Sequence, residues 1–217
     1  MTDVRLTSKD IISILTEVAA DMKEHINELR ELDAIIGDGD LGITIELGAN
    51  AMTSFLASAN ETDIGKMLAR CGMSVNKANP STFGTLLAAA FLGAGKAVQN
   101  KSDITAADLV LMGNGAIDGI KNRGKAEVGD KTMLDSLVPA VEAFKKSLNE
   151  ERSTAEAMKA AVSAAEAGMQ ATANMKAKVG RGSYRQDGTI GVRDGGATAM
   201  YFLVESFTKY LAAVLAS

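Results

Sequence analysis

The sequence is poor in several residues on which common catalytic and structural devices depend. It has one cysteine, Cys71, so no disulfide can form within the chain, which fits a reducing compartment. A single histidine, His25, excludes a Ser–His–Asp triad and a zinc site built from several histidines. No apolar run reaches membrane-spanning length, and the first residues lack the apolar core of a signal peptide. These absences predict a cytoplasmic protein.

The charge balance is mildly acidic, with 27 Asp and Glu residues against 23 Lys and Arg residues. A net charge of −4 argues against nucleic acid or a membrane surface as the main partner. It still allows a local basic pocket for phosphate. The hydrophobic share of 47% is typical of a globular chain with a sizeable core.

Apolar residues recur with helical spacing along almost the whole chain, as in the series Leu134, Leu137, Val141, Phe144 and Leu148. Only two prolines interrupt the sequence, and no linker divides it. We therefore predict a single all-α domain over residues 1–217, a barrel or bundle of eight antiparallel helices. The predicted helices cover residues 8–30, 42–58, 63–75, 82–97, 105–121, 132–148, 154–173 and 196–214.

Side chains that accept hydrogen bonds from free backbone amides mark several helix starts. Thr105 and Ser153 are each followed three residues later by an acidic residue, which is the spacing of a capping box. Asp130 and Asp194 precede helical segments and are predicted to cap them. Gly93 and Gly95 lie in a partial match to a phosphate loop, which we interpret as a helix end, and Gly113 and Gly115 lie inside a helical pattern, which we interpret as helix packing.

Four connections are predicted to meet at one end of the bundle. They cover residues 32–42, 76–81, 122–131 and 174–195. If the helices run alternately up and down, the connections after the first, third, fifth and seventh helices share an end. The last of them is long and rich in Gly and Arg, and long ordered loops of this kind are often functional.

Residues 32–42 bring three aspartates, Asp33, Asp38 and Asp40, close together between glycines. Neighbouring carboxylates repel each other, and a divalent cation relieves that repulsion. Carboxylate oxygens suit Mg²⁺, which usually keeps positions open for water and phosphate oxygens. The segment therefore predicts a magnesium–nucleotide site. A solvated acidic turn that caps the second helix is the alternative.

Two other interpretations of this segment fail on sequence. Gly37, Gly39 and Gly42 have the spacing of a dinucleotide-binding fingerprint, but the pattern around them is helical and carboxylates fall between them. A calcium-binding EF-hand requires a glutamate at its twelfth position, where Thr44 or Ala49 stands instead.

The later connections offer partners for phosphate. Residues 122–133 mix charges with turn glycines ahead of a helix, and free amides at a helix start attract anions. Arg181 and Arg185 supply guanidinium groups that can bind phosphate oxygens bidentately.

The motifs IGDGDLG, RGKAEVGDKTM and VGRGSY…DGGAT, taken in this order, resemble the DhaL family. That family comprises the nucleotide-binding subunit of bacterial dihydroxyacetone kinase. The resemblance implies a barrel of eight antiparallel helices with the nucleotide at one end. It implies that Asp33, Asp38 and Asp40 hold two Mg²⁺ ions that bridge the phosphates of ADP or ATP. The nucleotide contacts that the resemblance implies are Leu41, Gly42, Ile43, Thr44, Gly124, Met133, Arg181, Asp194, Gly195 and Gly196.

The resemblance also implies partners. A DhaK-like subunit would hold the ketone, and a DhaM-like phosphotransferase protein would donate phosphate where ADP is a resident cofactor. ATP is the donor in the other branch of the family. A transcriptional regulator and a second copy of the chain are further partners left open. Arg181 is expected to steady the transferring phosphate as a catalytic residue.

Two departures from the family pattern bear on the substrate. Leu41 stands where the family usually has a histidine, and residues 76–84 replace its glycine-rich loop. Ser81 and Thr82 are expected to donate hydroxyl and amide protons there. Another small ketose, such as a tetrulose, is thus an alternative substrate. A nucleotide-binding regulatory module and a helical scaffold without ligand are the alternative functions.

Overall fold

The computed structural model describes residues 4–216, except for the side chains of residues 185–187. Its α-helices are α1 (Ser8–Asp21), α2 (Ile26–Ile36), α3 (Leu41–Leu56), α4 (Ile64–Ala78), α5 (Thr82–Ala97), α6 (Ala106–Gly124), α7 (Leu134–Asn149), α8 (Thr154–Ala171) and α9 (Gly195–Leu215). Short 3₁₀ segments occupy Met22–His25, Thr172–Asn174 and Arg181–Thr189. Two short strands, β1 (Leu6–Thr7) and β2 (Asp103–Ile104), complete the described elements.

The helices form a closed ring, which confirms the predicted all-helical barrel. Each of α3 to α8 packs against the next helix in the chain, and α9 packs against both α8 and α1. The ring closes where α1 meets α3. A continuous core fills it, with fully buried side chains such as Ile14, Met67 and Leu211. Among the described residues, no helix combines the length and the apolarity needed to cross a bilayer.

The first predicted helix differs from the prediction because it is broken and longer. A 3₁₀ turn separates α1 from α2, and the ring of His25 stacks on that of Phe202 of α9, with centroids 3.7 Å apart. The helix also continues to Ile36 instead of ending at residue 30. Asp33 therefore lies in the last turn of α2 rather than in a loop.

The predicted helix starts hold with one exception. Thr105 and Ser153 form capping boxes, and Asp194 accepts a hydrogen bond from the amide of Ala197 at 2.7 Å. The prediction for Asp130 was wrong, because α7 begins only at residue 134. The Asp130 carboxylate instead accepts from the amide of Glu127 at 2.8 Å.

Helices α4, α5 and α6 approach one another so closely that glycine is required at the crossings. A Cβ atom at Gly93 of α5 would lie 1.9 Å from the carbonyl oxygen of Gly115 of α6. A Cβ at Gly65 of α4 would lie 2.4 Å from the carbonyl oxygen of Gly95. These contacts confirm helix packing for Gly115. Gly93 and Gly95, predicted as a helix end, lie near the end of α5 and also pack against the neighbouring helices.

The β1–β2 pair was not predicted. It is antiparallel and pairs Leu6 with Ile104 and Thr7 with Asp103. Two residues a strand are too few to show the alternation of polar and apolar side chains by which strands are recognised.

Candidate functional site

The four connections predicted to share an end do so, and they line one cleft. Its volume is about 570 Å³, within the range of small-ligand pockets. The connections after α2, α4, α6 and α8 all contribute, together with the starts of α5 and α9. Apolar side chains, among them Phe83, Leu86 and Ile120, lie beside the polar ones in this lining.

The acidic cluster is part of the lining of this cleft. Each of Asp33, Asp38 and Asp40 offers an oxygen, and these oxygens lie within 4.8 Å of one another. Gly39 has a φ of 78°, a left-handed conformation that glycine adopts without strain, and it turns the chain between the two later aspartates. The Asp33 carboxylate also accepts from the amide of Leu41 at 3.3 Å. The local backbone thus holds the three carboxylates together.

The cluster is electrostatically unfavourable without a cation. Burial, followed by the charges of Asp38 and Asp33, raises the pKa of Asp40. The Arg181 guanidinium opposes this shift and forms an ion pair with Asp38. Three oxygens at this spacing, with a raised pKa among them, are the donor set that a hard cation such as Mg²⁺ prefers. The residues therefore fit a magnesium site.

The start of α9 forms the part of the cleft wall next to the aspartate segment. Asp194 caps α9, and burial raises the pKa of its carboxyl to about 6, while Lys131 opposes the shift. The next two residues are glycines. A Cβ at Gly195 would lie 3.0 Å from Cδ2 of Leu41, so glycine lets this helix start approach the aspartate segment.

The connection between α6 and α7 is shaped by Asp135. Its carboxylate accepts from the amides of Gly129 at 2.5 Å and Thr132 at 2.7 Å. Asp135 is 2% exposed. This connection carries Gly124, and buried Met133 sits at the start of α7. The role of Asp135 was missed in the sequence, although an aspartate three residues after Thr132 is the signal that could have shown it.

The start of α5 is held from outside the cleft. Ser81 caps α5 by accepting from the amide of Gly84 at 3.0 Å. The Thr44 hydroxyl donates to the Ser81 side-chain oxygen at 3.0 Å and accepts from the side-chain amide Nδ2 of Asn79 at 2.9 Å. Thr44 therefore supports this helix start from behind.

Most of the predicted site residues line the cleft. They are Asp33, Asp38, Asp40, Leu41, Ser81, Thr82, Gly124, Met133, Arg181, Asp194, Gly195 and Gly196. Three do not line it. Gly42 packs against the backbone of Ile26, Ile43 is 46% exposed, and Thr44 contacts Ser81. The side chain of Arg185 lies outside the described residues. Lys131 lines the cleft and was not predicted, because a lysine in a charged run gives no sign that it is buried.

Comparison with known proteins gives consistent matches. A family model described as the DAK2 domain matches residues 35–209. The ADP-binding subunit DhaL of the PEP-dependent dihydroxyacetone kinase of Escherichia coli (strain K12) is 34% identical over 200 residues, which cover 92% of this chain and 95% of that subunit. The D-erythrulose kinase of Mycolicibacterium smegmatis is 29% identical over 188 residues, covering 86% of this chain and 32% of that protein.

A solved structure shares the fold. The dihydroxyacetone kinase from C. freundii, in complex with AMP-PNP and Mg²⁺, matches with a TM-score of 0.71 at 24% identity. The match covers 91% of this chain and 33% of that one. This chain therefore spans about a third of the solved kinase.

Proposed function

Since this chain belongs to the DAK2-domain family and is a phosphotransferase subunit of the dihydroxyacetone kinase type, we propose that it holds Mg-ADP or Mg-ATP in the cleft and passes a phosphoryl group to a small ketose bound on a separate subunit. The observation that carries this proposal is the cluster of Asp33, Asp38 and Asp40, with oxygens within 4.8 Å of one another in the lining of a cleft of about 570 Å³.

The cleft residues divide between the two ends of a nucleotide. The aspartates would hold the metal, as the pair of ions that the family resemblance implies, and bound Mg²⁺ would neutralise charge on the phosphates. The starts of α5 and α9 line the same cleft through Ser81, Thr82, Gly195 and Gly196, and free amides at a helix start attract phosphate. The apolar lining near Leu86 and Ile120 suits an adenine ring.

Arg181 is the residue we assign to the transferring phosphate. It lines the cleft, and its guanidinium already lies against Asp38. A guanidinium at this position can stabilise the charge that spreads over the phosphate oxygens in the transition state. Phosphoryl transfer needs positioned positive charge more than it needs a protein nucleophile, and among the described residues the cleft lining contains no histidine or cysteine.

The ketose and the donor belong to partner chains in this proposal. A DhaK-like subunit would hold the ketose and a DhaM-like phosphotransferase protein would restore the phosphate, as the E. coli relative's PEP-dependent kinase suggests. The reaction would take place in the cytoplasm, and the chain would act as a single domain over residues 1–217. A tetrulose is the alternative substrate, supported by the similarity to an erythrulose kinase.

Thermal unfolding with and without Mg-ADP tests the proposal. Asp33→Ala, Asp38→Ala and Asp40→Ala should each abolish the stabilisation that Mg-ADP gives the wild-type chain. Asp103→Ala is the matched control, because Asp103 pairs with Arg5 at 3.0 Å at the β1–β2 strands, outside the cleft lining. Stabilisation that survives in the cleft variants would reject the metal assignment.

Turnover is tested by adding the partner subunits. The chain, combined with a ketose-binding subunit and a phosphate donor, should phosphorylate dihydroxyacetone or erythrulose. Retention of ADP without turnover of either ketose would reject the enzymatic role and leave a binding module.

A further inference from the structure

Lys131 is a buried lysine in the lining of the cleft. Its residue exposure is 3%, and its φ of 64° places the backbone in the left-handed region. Lysine is rarely buried, because removal of an ammonium group from water is costly unless its donors are satisfied. Burial lowers the pKa of Lys131, while the charge of Asp194 opposes that shift.

The ammonium group of Lys131 is bound by backbone. It donates to the carbonyl oxygens of Thr189 at 2.5 Å, Val192 at 2.7 Å and Met175 at 3.2 Å. An ammonium group has three donors, so these bonds use all of them. Lys131 therefore lines the cleft without a donor left for a ligand.

The three carbonyls lie near the two ends of one segment, the 3₁₀ helix Arg181–Thr189. Met175 precedes this segment, Thr189 is its last residue, and Val192 follows it. The segment begins with Arg181, the residue assigned to the transferring phosphate. One side chain of the α6–α7 connection thus ties down both ends of the loop that carries Arg181.

We propose that Lys131 is a positioning residue that places Arg181 for phosphoryl transfer by holding residues 175–192 against the cleft. This inference rests on the proposed function. The loop has further ties nearby, since the amide of Gly191 donates to the carbonyl of Ala173 at 2.7 Å, and Lys178 donates to the Asp130 carboxylate at 3.0 Å. Lys131 differs from these ties because it joins both ends of the loop through a single group.

The test compares Lys131→Met with Lys125→Met. Lys125 lies in the same connection and also has a positive φ, of 54°, but it is exposed. The two substitutions therefore make the same chemical change in similar backbone. In the ligand-free chain, Lys131→Met should accelerate amide hydrogen exchange in residues 175–192 at least tenfold and leave the barrel helices unchanged. Lys125→Met should change neither.

A second measurement asks whether Lys131 acts through Arg181. With partner subunits present, Lys131→Met should lower kcat on the order of 100-fold, the cost of a misplaced catalytic group, and change the KM for nucleotide much less. Arg181→Gln should then cost little more in the Lys131→Met background, because the guanidinium is already displaced. Lys131→Arg, which keeps charge and donors, should recover part of the rate.

The exchange measurement and the kinetic measurement can each overturn the proposal. Wild-type exchange in residues 175–192 of Lys131→Met, or an Arg181→Gln penalty of equal size in both backgrounds, would overturn the proposal. If Lys131→Met does not fold, Lys131→Gln takes its place under the same criteria, because its amide keeps two donors without the charge. If Mg-ADP fails to stabilise the wild-type chain, the proposed function falls, and the role of Lys131 in transfer falls with it. If Mg-ADP stabilises that chain and exchange is not accelerated, the Lys131 proposal alone falls.

Discussion

Replacement of Asp40 by asparagine should stabilise the metal-free chain and abolish its stabilisation by Mg-ADP. The substitution keeps the shape of the side chain and removes one of three negative charges whose oxygens lie within 4.8 Å of one another. Burial and the charges of Asp38 and Asp33 raise the pKa of Asp40, so its ionised form is unfavourable in the folded state. The two effects of the substitution therefore have opposite signs.

The expected gain in stability of the metal-free chain follows from the distances between the carboxylate oxygens. At 4.8 Å two unit charges repel by about 0.9 kcal/mol with the screening of bulk water, so two neighbours give about 1.7 kcal/mol. Attraction to Arg181 and to the start of α3 offsets roughly 1 kcal/mol of this. The remaining gain of about 0.7 kcal/mol raises the Tm of a domain of this size by roughly 1–3 °C.

The expected loss of stabilisation by Mg-ADP is larger. Ligand at 100 times its Kd stabilises the folded wild-type chain by about 2.7 kcal/mol, and the variant without its metal site should lose this gain. The assay is differential scanning fluorimetry of the wild type and Asp40→Asn, each with and without Mg-ADP. Asp103→Asn, at the β1–β2 strands, is the control. A lower Tm of Asp40→Asn in the absence of metal would refute the repulsion argument, and retained stabilisation by Mg-ADP would refute the metal site.

Three further predictions concern other parts of the chain. Arg181→Gln should tighten Mg²⁺ binding about two- to fivefold in the absence of nucleotide, because the metal no longer competes with the Arg181–Asp38 ion pair. Calorimetry measures this affinity, and an unchanged value would contradict the competition. The pKa of Asp194, raised by burial to about 6, should make the metal-free chain less stable to urea as pH rises from about 4 to 6. Asp194→Asn should flatten this decline of unfolding free energy with pH. An equal decline in both proteins would count against the raised pKa. Gly93→Ala should destabilise the barrel by about 1–3 kcal/mol, because its Cβ would clash with the facing helix α6. The control Gly48→Ala, whose Cβ would meet its nearest neighbour at 3.3 Å, should be near neutral. Similar urea midpoints for the two variants would argue against the tight crossing.

The sequence predicted the barrel because helical patterns need only local information. The eight helices follow from apolar spacing and from capping residues such as Thr105 and Ser153, and their up-and-down order places four connections at one end. The 3₁₀ turn before α2 was not predictable in this way, because no break in the apolar spacing marks it, and the contact made there by His25 is to Phe202, which is distant in the sequence.

The candidate site was predicted where its chemistry lies in short segments. The aspartates stand within eight residues of one another, so their repulsion is visible in the sequence. Lys131 was missed because its partners are backbone carbonyls more than 40 residues away, and no sequence pattern encodes a carbonyl acceptor. The caps at Asp130 and Asp194 looked alike in sequence, but α7 begins four residues after Asp130, where Asp135 organises the preceding turn.

The packing of α9 against α1 has a consequence for the order of folding and binding. The cleft takes residues from position 32 to position 196, so a chain still on its way to the native state, with its last helix undocked, lacks one wall of the pocket. Nucleotide would then recognise only the finished barrel. Bound ligand would join distant parts of the chain as a non-covalent cross-link and slow the release of α9.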